Sequence, residues 1–151
     1  MIRASLDTNV LLYAVDTAGD AEKHHVAVDL LDRLSTAGRG LLALQALTEF
    51  YAVTIRKHRV APERAAVYVD TWADVFPVRE AVFADVADAM RVHRDHGIPF
   101  WDGMIWAVTR RAGARFLLSE DLQDGRELEG VRVVNPFNPA NTVMLEDALC
   151  L

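Results

Sequence analysis

Cysteine is almost missing from this chain, with one residue, Cys150, in 151. A single thiol excludes a disulfide framework and a thiolate metal cluster, and it fits a reducing, cytoplasmic setting. Long apolar runs are also missing. None approaches the about 20 residues of a membrane-spanning helix, and Asp7 interrupts the first, so neither membrane insertion nor a secretory leader is expected. Positive charge is in deficit, with 16 Lys and Arg against 22 Asp and Glu and a net charge of −6. That argues against binding nucleic acid over the whole surface, while leaving room for a local basic strip. There is no Gly-x-x-x-x-Gly-Lys loop for nucleotide phosphates and no Gly-x-Ser-x-Gly turn for a serine nucleophile.

What is present describes one globular domain. Hydrophobic residues make up 52% and charged residues 25%, enough for a core without staples. Short apolar runs alternate with amphipathic stretches. Residues 2–6 read as a buried strand, and the apolar run from Val10 to Val15 as the start of a helix. Residues 21–37 have helical spacing in Val28, Leu31 and Leu34, closed by Gly38 and Gly40. Residues 41–44 are a second strand candidate, followed by helices over 45–58 and, from Pro62, to about 74. A third strand is expected at 75–78, then helices over 80–96 and 99–111 separated by Gly97-Ile98-Pro99. Residues 114–118 and 131–134 give a fourth and a fifth strand. The order is βαβ throughout, which predicts a mostly parallel sheet covered on both faces.

Asp7 ends the first strand, at the sheet edge where connecting loops diverge and ligands bind. Asp7-Thr8-Asn9 are all favoured helix caps, so Asp7 is either a cap or the first residue of a site. Three further acids fall at corresponding places. Glu49 lies in the opening turns of the helix after the second strand, where a solvated Glu near a positive helix end is the plain alternative. Asp102 sits in a first helical turn inside Phe100-Trp101-Asp102-Gly103-Met104, and an acid among such residues needs a partner. Asp121 follows the fourth strand, where an Asx-turn would also account for it. If the strands are parallel and adjacent, the four acids meet, and they need a counter-charge to stay ionised. Oxygen ligands without thiolate point to Mg²⁺ or Mn²⁺. His24, His25, His58, His93 and His96 fall away from the acids and read as helix faces rather than zinc ligands.

The series Asp7-Thr8-Asn9, Gln45 to Glu49 with Phe50-Tyr51, Phe100-Trp101-Asp102, Leu118-Ser119-Glu120-Asp121-Leu122 and Val133-Val134-Asn135-Pro136-Phe137 resembles PIN-domain ribonucleases. More closely, it is similar to VapC-type toxins of type II toxin–antitoxin pairs. The resemblance runs from Met1 to about Phe137. It implies a three-layer α/β/α sandwich on a five-stranded mostly parallel sheet, Mg²⁺- or Mn²⁺-dependent cleavage of single-stranded RNA, homodimers, and inhibition by a cognate antitoxin. On this resemblance Asp7, Glu49, Asp102 and Asp121 are the catalytic, metal-binding acids. Asn9 and Ser119 match polar positions that orient them. Residues 1–137 would be the PIN-like nuclease domain and 138–151 a tail packed on it or on a dimer partner.

Two departures stand out. Asp124 is an additional acid close to Asp121, which is favoured because it directly follows the strand, and the tail runs past the usual ending. Arg56, Lys57 and Arg59, and Arg110 and Arg111 with Arg115, are the dense basic groups available to RNA, although these runs sit at helix C-termini where cations are stabilising anyway. Trp101 is a candidate for base stacking, with a core or dimer contact the plainer alternative for it as for Phe100 and Trp106. Sheet enzymes that need a lysine at the end of a later strand, such as haloacid dehalogenase-type phosphatases and receiver domains, do not fit, because only Lys23 and Lys57 are present. The alternative to an enzyme is a PIN-like module that binds an antitoxin or RNA without cutting. The residues do not specify the RNA target.

Overall fold

The computed structural model describes residues 1–149; Cys150 lies outside them. In chain order the elements are β1 (Ala4–Leu6), α1 (Thr8–Val15), α2 (Ala21–Thr36), β2 (Gly40–Ala43), α3 (Leu44–His58), α4 (Pro62–Val75), β3 (Val78–Arg79), α5 (Phe83–His96), α6 (Phe100–Arg111), β4 (Phe116–Leu118), β5 (Glu127–Leu128), β6 (Val131–Val134), a 3₁₀ turn (Pro139–Asn141) and α7 (Thr142–Leu149). The strands form one sheet in the order β3-β2-β1-β4-β6-β5. All neighbours are parallel except β5 and β6.

Burial on both faces explains why the strands read as apolar runs rather than as alternating patterns. Leu6, Leu42, Leu118 and Val134 point into one core with α1, α2, α3, α4 and α7. Ala43, Leu117 and Val131 point into the other with α5 and α6. The result is three layers, with the sheet between two sets of helices. Helix α6 is buried over most of its length, from Gly103 to Thr109. Gly103 makes its crossing with α5 possible: a Cβ there would stand 3.3 Å from Val92 Cγ2 and 3.4 Å from the Ala89 backbone.

Three expectations need correction. The sheet has six strands rather than five, because Glu127–Leu128 folds back on β6 through Glu129 and Gly130. Both turn residues have positive φ (48° and 83°), as a tight two-residue hairpin requires. Two residues, one of them an exposed Glu, give no hydrophobic signal. Trp106 holds the hairpin from below, donating from Nε1 to Leu128 O at 3.3 Å. The third strand is Val78–Arg79 and not 75–78, since α4 runs on through Val75 and buries Phe76 at its cap. Finally, α5 starts at Phe83 rather than at 80, where the Asp85 carboxylate accepts from Val82 N at 2.8 Å and satisfies a free helix-end donor. In the tail, Leu145 and Leu149 of α7 join the larger core, with Met144 against it.

Candidate active site

Parallel pairing of β1 with β2 and β4 brings the C-terminal ends of these strands to one edge. Asp7 leaves β1 there and caps α1, its Oδ1 accepting from Thr8 N at 2.7 Å. The cap and the site are therefore the same residue. Its other oxygen accepts from Ser119 Oγ at 2.7 Å and from Asn9 Nδ2 at 3.4 Å. Ser119 follows β4 and is fully buried; its oxygen accepts from Asp121 N at 3.2 Å. Asn9 also donates to Asp121 Oδ2 at 3.1 Å. Asn9 and Ser119 thus link Asp7 to Asp121.

Glu49 arrives from α3. Its Oε2 accepts from Thr8 Oγ1 at 3.0 Å and its Oε1 from Gln45 Nε2 at 2.8 Å. Gln45 also donates to Trp101 O at 3.0 Å, tying α3 to the start of α6 beside Asp102. Thr8 and Gln45 are positioning residues that sequence reading left without a role. Gln45 stands four residues before Glu49, the spacing of helix-surface neighbours, and that was the available signal.

Asp7 and Asp102 both feel other acids of the set. Asp7, 5% exposed, has its pKa raised from the usual range to about 6, mainly by burial. The hydrogen bonds from Ser119 and Thr8 oppose the rise, and the charges of Asp102 and Asp121 add to it. The Asp102 pKa is also raised, by burial first and then by Asp121 and Glu49. Each acid is therefore felt by others of the set, and no salt bridge from the described residues reaches any of the four. No three His, Cys, Asp or Glu side chains among the described residues close on one point tightly enough to hold a metal ion. The donor chemistry nonetheless fits a hard divalent cation. The set is all-carboxylate, its charge is uncompensated, and no hydrogen bond from the described residues satisfies Asp102.

The surroundings separate the remaining candidates. Asp124 faces the tail, accepting from Asn135 N, Asn138 Nδ2 and Asn141 Nδ2 at 2.9–3.0 Å. Burial pushes its pKa up, but these bonds and Arg132 outweigh that and leave it lowered. Asp121 is the acid that joins the edge. Glu120 is held by Tyr13 OH at 2.7 Å and Lys23 Nζ at 2.5 Å. Beside Asp121, a cavity of about 400 Å³ is lined by Asn9, Tyr13, Asp16 and His58. His58 at the end of α3 thus lies near Asp121, unlike the expectation that the histidines fall away from the acids; its chain neighbours Arg56, Lys57 and Arg59 are exposed. Arg110 and Arg111 lie at the far end of α6 and are held in ion pairs with Asp88, Glu129 and Asp85. Trp101, next to Asp102, is 64% exposed. No described helix is long and apolar enough to cross a membrane.

No curated protein matches the chain. Among solved structures, it is similar to Mycobacterium tuberculosis VapC20, a sarcin-ricin loop cleaving toxin, with 22% identity over 78% of this chain and 89% of that one, TM-score 0.59. A DNA-bound VapBC from Salmonella typhimurium aligns with TM-score 0.67 and 15% identity over 90% and 99% of the two chains. FitAcB from Neisseria gonorrhoeae aligns with TM-score 0.61 and 22% identity over 89% and 99%. These likenesses are of fold. The PIN domain family model matches residues 4–123, a span holding the sheet from β1 to β4 and all four acids, and the chain belongs to the PIN domain family.

Proposed function

We propose that this chain is a Mg²⁺- or Mn²⁺-dependent endoribonuclease that cleaves single-stranded RNA and serves as the toxin of a VapBC-type pair. The observation that supports the reading is that the four acids lie within electrostatic reach: Asp102 and Asp121 add to the cost of ionising Asp7, and Asp121 and Glu49 to that of Asp102. Asp7 and Asp102 would hold the cation, with Glu49 and Asp121 completing the site. When bound, the divalent ion supplies positive charge against the phosphodiester and makes water a better nucleophile near neutral pH. The side chains do the rest. Ser119 and Asn9 fix the Asp7 and Asp121 carboxylates, and Thr8 and Gln45 fix Glu49. Hydrolysis joins a water oxygen to phosphorus and breaks the bond to the 3′ oxygen, which takes up a proton, leaving 5′-phosphate and 3′-hydroxyl ends.

Exposed Arg56, Lys57 and Arg59, next in the chain to His58 of the cavity beside Asp121, would attract the RNA backbone, and exposed Trp101 offers a face on which a base stacks. The partners in this reading are a cognate antitoxin and a second copy of the chain in a cytoplasmic setting, with residues 1–137 as the nuclease domain and the tail packed upon it. The named complexes of similar fold, VapBC and FitAcB, support the antitoxin. The test is cleavage of single-stranded RNA with and without EDTA by the wild type and by Asp7→Asn. Products from the wild type alone, abolished by EDTA, are expected. Absence of metal-dependent products from the wild type would leave a binding module.

A further inference from the structure

The opposite end of the sheet has the reverse chemistry. Where the strands begin, Arg39 precedes β2, Arg3 precedes β1, Arg115 precedes β4, and Arg132 is the second residue of β6. Backbone bonds set them side by side: Arg3 N donates to Arg39 O at 2.7 Å, Arg115 N to Arg3 O at 2.9 Å, and Arg132 N to Arg115 O at 2.8 Å. Register aligns Arg39, Arg3 and Arg115 in a row along this edge, with Arg132 one residue further on, opposite Phe116. Arg3 is four residues before Asp7, about 13 Å along an extended strand, so the row is separate from the acids.

Three of these arginines, Arg3, Arg115 and Arg132, line one cavity of about 320 Å³ with Phe116, Glu127 and Gly130. That volume is close to the lower bound, about 300 Å³, of small-ligand sites. Arg3 Nε is buried with no hydrogen-bond partner. A charged group with an unpartnered donor is costly to hold, and an anion in the cavity would offset the charge of the three guanidinium groups around it. The local acids do not supply one. Glu127 lines the cavity and Asp124 acts on Arg132, but no salt bridge from the described residues reaches Arg3, Arg39, Arg115 or Arg132.

We propose that the Arg3/Arg115/Arg132 cavity at the strand-start edge is a binding site for a phosphate group, separate from the carboxylate edge and independent of the ribonuclease reading. Guanidinium forks match tetrahedral phosphate oxygens, which favours phosphate over a carboxylate or halide. The phosphate is carried either by a small free anion or by an RNA end.

The experiment titrates the full chain, in EDTA and at constant ionic strength, with inorganic pyrophosphate, reading heat and melting temperature. Saturable binding is expected, weakened at least about tenfold in Arg115→Gln and in Arg132→Gln, each removing a charge-assisted contact. Both side chains are exposed, so the variants keep the fold, and an unchanged melting temperature without ligand checks this. Asp7→Asn should bind pyrophosphate as the wild type does. In a second arm, a short single-stranded RNA with and without a 5′-phosphate competes with pyrophosphate. Competition only by the phosphorylated form makes RNA the carrier, and no competition leaves the free anion. No saturable pyrophosphate binding, binding unchanged in both arginine variants, or binding lost in Asp7→Asn would overturn the proposal.

Discussion

Two groups of acids in this molecule have opposite fates. On the α5–α6 side, Asp85, Asp88 and Glu129 each meet an arginine: Arg111 at 3.0 Å from Asp85, Arg91 and Arg110 at 3.1 Å from Asp88, and Arg91 at 2.7 Å from Glu129. The Arg91 guanidinium foremost holds the Glu129 carboxyl below its ordinary range. At the C-terminal sheet edge, Asp7 and Asp102 have neutral donors or none, face other carboxylates, and are pushed the other way. The same residue types thus make a brace in one place and an unbalanced negative site in the other. Burial alone does not separate them, because Asp85 is 2% exposed and Asp7 5%. The difference is the partner, and in the proposed function it marks the edge that would take a cation.

Substitutions break the comparison in opposite directions. Asp102→Asn should lower metal-dependent RNA cleavage by more than about 100-fold, beyond the 10–100-fold typical of outer partners, with no loss of folding stability, measured by initial rates and thermal melting. In the brace, Arg111→Ala should cost about 3 kcal/mol in urea unfolding, because it strands Asp85 in the interior, while the cleavage rate per folded molecule is kept. A smaller effect is expected from Ser119→Ala. Asp7 would keep its cap bond from Thr8 but lose its best side-chain donor, and the Mg²⁺ concentration for half-maximal cleavage should rise by about 10–100-fold.

The residues that were legible in the sequence are those whose position follows from strand order. Asp7, Asp102 and Asp121 each sit just past a strand or in a first helical turn, and parallel pairing brings that edge together. Glu49 reached it from α3 for the same reason. What was not legible depends on side chains crossing between elements. Nothing local shows that Gln45 spans from Glu49 to Trp101 O, or that Arg111 reaches back to Asp85 and Glu80 O rather than outward to RNA. Asp124 and Asp121 look alike in sequence, and only the fold of the tail gives Asp124 its three asparagine donors. The β5 hairpin was hidden because it rests on two positive-φ residues and one indole bond, neither of which leaves a hydrophobic pattern.

The most direct measurement compares unfolding of the metal-free wild type and Asp7→Asn from pH 4 to pH 8, then repeats it with Mg²⁺. Burial raises the Asp7 pKa above its unfolded value of about 4 to about 6, so its stabilising contribution is complete below pH 4 and is lost as pH rises through 6. At pH 7.5 the asparagine variant should be the more stable by on the order of 2–3 kcal/mol, with the gap closing toward pH 4, and Mg²⁺ should stabilise only the wild type. A variant less stable than the wild type at every pH, with no response of either protein to Mg²⁺, would contradict a site built to receive a cation.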